Sequence, residues 1–242
     1  MPTLQVGATE IPYRIRHSTA AKRKRIIVTP EQVEVVAPDG QDQAQIAEFM
    51  HGKRRWVYDK REEMLERTVD HPFPSRFATG GKVLYRGRRL RLVVEVGDVG
   101  DVDDVEIEYR NGFYVVVPAS LNEADRDVAI ARALSTWMKA RVQSDVEALA
   151  RRHTPRLGVE PTSLRVNDQQ RLWGSCGGSG AIYLNWHLVF VPKTILEYAV
   201  VHELCHLRYR DHSPAFWRMV GTACPNASEL HSFLRRLRGW SL

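Results

Sequence analysis

Val200-Val201-His202-Glu203-Leu204-Cys205-His206 lies inside an apolar stretch with helix-forming composition, so a helix is expected from about 194 to 208. His202 and His206 are four apart, which puts both imidazoles on one helix face, one turn apart, where they can converge on a single Zn2+. Glu203 follows the first histidine, and its carboxylate can reach a zinc-bound water and take a proton from it, as hydrolysis of an amide requires. Zinc lowers the pKa of that water to about 7. A catalytic zinc takes three protein ligands plus water. His212 can be the third if the helix breaks just after Arg208, and Asp211 and Pro214 favour such a break. Glu229, on a later helical segment, is the alternative third ligand.

Outward from this helix the pattern changes along the chain. Tyr13–Arg16, Arg25–Val28 and Val33–Val36 alternate like strands, and the last two flank Thr29-Pro30-Glu31-Gln32, a hairpin turn. One amphipathic helix is expected from Gln43 to about Val69, carrying Ile46, Phe49, Met50, Trp56, Val57 and Met64. Two further hairpins turn through Arg86-Gly87-Arg88 and through Asn111-Gly112, the latter a type I′ signal. A helix of about 30 residues begins after Asn122. Ser163–Val166, Leu172–Cys176 and Ala181–Trp186 then read as strands, and short helices near 214–220 and 228–238 close the sequence. No internal repeat is visible. The fold class is α+β: a β-rich N-terminal region with one amphipathic helix over 1–120, then a mainly helical catalytic domain with a small sheet over 121–242.

The 242 residues, 43% hydrophobic and 26% charged, are those of a globular chain rather than a disordered or fibrous one. No apolar run approaches the roughly 18 residues of a membrane span, so no membrane partner is expected. Met1–Gly7 lacks the basic start and apolar stretch of a secretory signal, and three cysteines without a CxxC spacing suit a reducing compartment; a cytoplasmic location is expected. The net charge of +6 and the basic runs at 22–25, 53–55 and 235–238 permit nucleic-acid contact without requiring it.

Taken together, Trp173-Gly174-Ser175-Cys176, Leu184-Asn185-Trp186, Leu188-Val189, Val201–Leu207 and His212–Trp217 resemble the YgjP-like, SprT-related zinc metallopeptidases. The resemblance is strongest over about 165–220. It implies a minimal zincin-like domain in which His202, His206 and His212 hold Zn2+ and Glu203 is the general base, acting on a protein or peptide substrate. Leu172 stands where that family usually has arginine, so the arginine's role is not transferred to Arg171. Tyr209 stands where metzincins place glycine, which disfavours a metzincin turn. In zincins an edge strand beside the active-site helix holds the substrate extended, which would bring Gly174 and Ser175 to it; a plain structural hairpin is the alternative. Because some SprT-related proteases act on DNA-bound proteins, a DNA-associated role is the alternative function, and a small-molecule metallohydrolase is a third. The sequence does not fix the oligomeric state.

The remaining candidates have plain readings. Cys205 reads as a small buried hydrophobe and Cys176 lacks a setting that would favour a thiolate. His187 reads as structural, and His17, His51, His71, His153 and His231 as surface residues. Tyr209, Arg210 and Arg171 are the nearby groups that could donate to a developing oxyanion.

Overall fold

A computed structural model describes residues 2–7, 9–28, 32–70, 72–97, 105–169 and 171–237, and among these it is α+β, with six helices and three mixed sheets. Contacts divide the chain into two units, 1–68 and 69–242. That boundary lies well before residue 120, where the composition changes.

In the first unit, strands β1 (Thr3–Val6), β2 (Thr9–Ser18), β3 (Arg25–Val28) and β4 (Val33–Pro38) form a sheet in the order β1-β2-β4-β3. The central pair β2 and β4 is parallel and the two outer pairs are antiparallel. Along β2, buried Ile11 and Tyr13 alternate with exposed Glu10, Pro12 and Arg14, the period of two that gives a sheet one apolar face. Helix α1 (Gln43–Gly52) adds Ile46 and Met50, four apart, to the same core. The single expected helix is in fact two, because the chain leaves helical geometry at Lys53 (φ −103°, ψ 6°) before α2 (Arg54–Asp70) begins. Gly52, a poor helix former, precedes the break. β3 and β4 pair as a hairpin, while its turn residues 29–31, like His71, lie outside the described residues.

The second unit opens with β5 (Lys82–Tyr85), β6 (Arg88–Gly97), β7 (Glu106–Tyr109) and β8 (Phe113–Pro118), ordered β5-β6-β8-β7. This is the first sheet again. The hairpin pair Val6↔Thr9 corresponds to Tyr85↔Arg88, the parallel pair Tyr13↔Val33 to Leu92↔Phe113, and the outer pair Val28↔Val33 to Tyr109↔Phe113. Each last strand ends in proline, and four residues later Asp42 or Asn122 starts a helix. The expectation of no internal repeat is therefore corrected. Few identities betray the duplication, chiefly Val35/Val115, Val36/Val116 and Pro38/Pro118, because the copies share pairing register rather than side chains. The cores differ systematically: Tyr85, Tyr109, Phe113 and Trp137 pack ring to ring with centroids 5.3–5.8 Å apart. The corresponding positions of the first unit are four valines: Val28, Val33 and Val57 in its core and Val6, partly buried, packed against it.

Turn chemistry also departs from expectation. Arg86 (φ 50°) and Gly87 (φ 75°) form the two-residue loop with both residues left-handed that a type I′ turn requires. At Asn111-Gly112 only Asn111 has positive φ (56°), and Tyr109 pairs with Phe113 across a three-residue loop. The Arg86-Gly87 turn serves the region before the histidine helix. Arg86 N–H donates to Val189 O at 2.7 Å and Gly87 N–H to Phe190 O at 2.9 Å, while a Cβ at Gly87 would come within 2.8 Å of Pro192 Cγ.

Helix α3 (Glu123–Leu157) is capped by the Asn122 side chain, which accepts from Asp125 N–H, and ends at Gly158 in the left-handed conformation (φ 63°). Its stripe of Ile130, Leu134, Met138, Val142, Val146 and Ala150 repeats every four residues and is buried. His153 extends that stripe and is 1% exposed, with Nε2 2.7 Å from Glu197 Oε1, so it is a core residue rather than the expected surface one. Strands β9 (Ser163–Asn167), β10 (Gly174–Cys176) and β11 (Ala181–Asn185) form the third sheet in the order β10-β11-β9, which leaves β10 at an edge. A 3₁₀ turn, Trp186–Val189, leads to α4 (Lys193–Cys205), which packs against α3 and is followed by α5 (Pro214–Ala223) and α6 (Ala227–Arg236). No helix of the described residues is long and apolar enough to cross a membrane.

Asn185 holds the approach to the third sheet together. Its side chain is fully buried, with Nδ2 donating to Gln169 O (2.7 Å) and Leu172 O (2.8 Å) and Oδ1 accepting from His187 N–H (3.0 Å). Asn185→Leu keeps the branched skeleton but strands two carbonyls and one amide. Each orphaned group costs about 1–3 kcal/mol. The expected outcome is a loss of about 3 kcal/mol or more in urea unfolding, with an unchanged dependence on denaturant.

Candidate metal centre

Beyond the exposed Lys193 and Thr194 and the half-buried Glu197, helix α4 is buried, with Ile195, Leu196 and all residues from Tyr198 to Cys205 inside, which is why it forms in the interior rather than on the surface. His202 and Glu203 are thus carried to depth, 0% and 1% exposed. The helix stops at Cys205, earlier than the expected 208, and His206 caps it at φ −67°, ψ −15°. Short-range bonds tighten the exit, Leu207 N–H to Leu204 O at 3.1 Å and Arg208 N–H to Cys205 O at 3.1 Å. The chain then doubles back. Ser213 Oγ accepts from Phe216 N–H, Pro214 occupies the first turn of α5, and Asp211 Oδ1 accepts from Ser213 N–H at 3.3 Å.

That return brings His212 to the helix histidines. His202 Nε2 lies 3.2 Å from His206 Nε2 and 3.0 Å from His212 Nε2, and the ligand atoms of all three lie within 4.8 Å of one another. Ligands of a tetrahedral zinc at 2.0–2.1 Å are separated by about 3.3 Å. His206 Nδ1–H donates to Tyr209 O at 2.8 Å, which fixes the tautomer that leaves Nε2 free for a metal. Phe216 stacks on the His206 ring (4.6 Å) and Trp217 on the His212 ring (5.7 Å). Burial, then the neighbouring imidazoles, push His202 well below the ordinary histidine range, and burial lowers His206 as well. Neutral imidazole is the form that binds a cation. Glu229 is not part of the cluster.

Beside the triad, the Glu203 carboxyl has no hydrogen-bond partner at either oxygen among the described residues, and burial pushes it up to about 8. A buried polar group without a partner is costly, and two orphan oxygens one residue from the first of three converging imidazoles fit a site built for a metal ion and a water. Gly174 makes this placement sterically open. A Cβ there would meet Glu203 Oε1 at 2.7 Å and Cγ at 2.9 Å, so the glycine of the Trp-Gly-Ser-Cys stretch is where the glutamate lies against the β10 backbone.

The other sequence candidates fall as follows. Gly174 is buried and Ser175 half-buried on the edge strand, with Ser175 Oγ accepting from Gln169 Nε2 at 3.4 Å. Arg210 is occupied with main chain, donating to Cys176 O (3.3 Å), Gly177 O (2.9 Å) and Gly178 O (3.3 Å), which ties the loop before His212 to the end of β10. Tyr209 contributes its carbonyl to His206, and Arg171 is exposed. Burial raises the Cys176 thiol and pushes Cys205 up to about 12, so neither is a ready thiolate. His187 is structural, with Nδ1 2.9 Å from Asn185 Oδ1. His231 is not on the surface. It is half-buried with Nδ1 2.9 Å from Tyr198 Oη, which is itself 3.1 Å from His202 Nδ1. Tyr198 carried a readable signal, since it lies one helical turn before His202. Nothing local points to His231, which arrives from α6.

The Gly174 contact can be tested by stability alone. Gly174→Ala overpacks the Glu203 side chain and is expected to cost about 1–3 kcal/mol in chemical unfolding. Gly178→Ala, whose Cβ would meet nothing within 4 Å, is the control expected to stay near wild type.

A family model described as the YgjP-like metallopeptidase domain matches residues 22–237. Among solved structures, the metallopeptidase zymogen abylysin of Pyrococcus abyssi is similar at 24% identity over 40% of this chain and 99% of that one, with a TM-score of 0.37. No curated protein matches. With the match running over most of its length, the chain belongs to the YgjP-like metallopeptidase family.

Proposed function

We propose that the protein is a zinc-dependent peptidase in which His202, His206 and His212 hold the ion and Glu203 is the general base. The observation that carries this reading is the convergence of three imidazole Nε2 atoms, together with a buried, partnerless carboxyl one residue after the first of them. Zinc bound there would lower the pKa of a water ligand to about 7 and polarise the scissile carbonyl. Glu203 accepts the proton of the attacking water and returns it to the leaving amine. The substrate is a protein or peptide lying extended along β10, whose outer edge has no strand partner among the described residues; Gly174 offers it outward-facing main-chain hydrogen bonds and Ser175 lies beside it. The free thiols of Cys176, Cys205 and Cys224 suit a cytoplasmic setting.

The purified chain is expected to contain about one zinc by elemental analysis and to cleave casein or a peptide library. Glu203→Gln should retain zinc and fold but lose at least about 100-fold in kcat/KM, the usual contribution of a general base. A wild-type chain without bound metal, or a Glu203→Gln variant with undiminished cleavage, overturns the proposal.

Metal removal should expose the burial of Glu203. Its folded pKa of about 8 exceeds the unfolded 4.5, so its contribution to stability is complete below pH 4.5 and is lost as pH rises toward 8. The depressed histidines act oppositely, but only below about pH 6.5, their ordinary value. Between pH 6.5 and 8 the metal-free chain is therefore expected to lose thermal stability, and Glu203→Gln to flatten that slope in a melting series with chelator.

A further inference from the structure

We infer that Tyr198, backed by His231, is a positioning residue that sets which nitrogen of His202 carries the proton. Three side chains from two helices form a continuous line: His202 Nδ1 lies 3.1 Å from Tyr198 Oη, and Tyr198 Oη lies 2.9 Å from His231 Nδ1. The inference rests on the metal-centre reading above and adds two residues to it.

A phenol has one proton to give, and two imidazole nitrogens face this one. A phenol's ordinary pKa is about 10, so at neutral pH Tyr198 carries its proton. Both imidazoles could donate to the phenol oxygen, but that would leave its buried proton unbonded; only two arrangements use every group in the line. In the first, His202 Nδ1–H donates to Tyr198 Oη, the phenol donates to His231 Nδ1, and His202 Nε2 is left as a lone pair facing His206 and His212. In the second, His231 Nδ1–H donates to the phenol, the phenol donates to His202 Nδ1, and the His202 proton sits on Nε2, where a metal would have to displace it. Metal binding requires the first arrangement, and the first arrangement requires an acceptor at His231.

The setting keeps the line in place. Tyr198 is one turn before His202 on α4 and fully buried, so its ring cannot swing to solvent. His231 stacks parallel to the His202 ring (interplanar angle 10°, centroids 6.0 Å apart) and meets Trp217 edge-on at 5.2 Å. Trp173, one residue before the glycine under Glu203, donates from Nε1 to Leu234 O at 3.0 Å and holds α6 against the sheet one turn from His231. His206 obtains the same orientation from a backbone carbonyl, that of Tyr209, whereas His202, inside the helix, has none to spare.

The test measures Zn2+ affinity of the full chain by competition with a chromogenic chelator, in wild type, Tyr198→Phe, His231→Leu, His231→Asn and the Tyr198→Phe/His231→Leu double variant, with circular dichroism and melting to report the fold. Tyr198→Phe and His231→Leu are each expected to weaken zinc binding 10- to 100-fold, the usual effect of losing the group behind a ligating histidine. His231→Asn should restore most of the loss, because its Oδ1 can stand where Nδ1 stood and accept from the phenol. The double variant should be no weaker than Tyr198→Phe alone. A purely structural role predicts additive losses and no rescue by asparagine, and either result overturns the inference, as does wild-type affinity in Tyr198→Phe. A wild-type chain that binds no zinc overturns the metal-centre reading and this inference together, whereas tight wild-type binding with an indifferent Tyr198→Phe overturns the inference alone.

Discussion

Helix α4 must keep His202 and Glu203 fully buried in an interior lined largely by apolar residues. Burying imidazole and carboxyl groups without partners costs several kcal/mol, so a helix of this kind is stable only if its surroundings are arranged for them. The arrangement here is specific. His202 has the Tyr198 hydroxyl behind it, His206 has the Tyr209 carbonyl, and Glu203 has neither, lying on a glycine whose missing side chain leaves room for it. The early end of α4 and the tight exit that returns His212 follow from the same need, since a helix continued past His206 would carry the chain away from the triad.

The elements around α4 act on that constraint from different sides. The Arg86-Gly87 turn bonds to the segment just before the helix, and α3 lies along it. Arg210 joins the loop that carries His212 to the end of the edge strand, so a peptide seated on β10 would rest on a strand fixed to the ligand loop rather than on a free-standing edge. Asn185 does the equivalent for the chain entering the sheet, and the Leu-Asn-Trp stretch is explained by structure rather than by contact with a substrate.

What the sequence disclosed follows from the range over which each signal acts. His202, Glu203 and His206 are legible because helical spacing alone places them on one face, and His212 because breaker residues surround it. The Asn122 cap and the length of α3 are local in the same way. The break at Lys53 and the three-residue loop at Asn111 escaped because they depend on fine backbone geometry that residue type constrains weakly. His153, His231 and the role of Gly174 are set by partners 44, 33 and 29 residues away in sequence, and no pattern within a window could reveal them. The duplicated sheet escaped for a different reason: strand pairing is made by backbone atoms common to all residues, so the register persists while the side chains diverge.

That shared register has a consequence for folding kinetics. Two sheets with interchangeable backbone pairing in one chain invite strand exchange, in which β8 seeks the slot of β4 and forms every ladder bond correctly in the wrong place. Hydrogen bonds cannot distinguish the two outcomes. Side-chain volume can: the aromatic quartet Tyr85, Tyr109, Phe113 and Trp137 does not fit where Val28, Val33 and Val57 fill the core and Val6 packs against it, and the valines leave voids among the rings. The swap of four valines for four aromatics thus acts as a sorting code, by which a newly made chain tells its first sheet from its second.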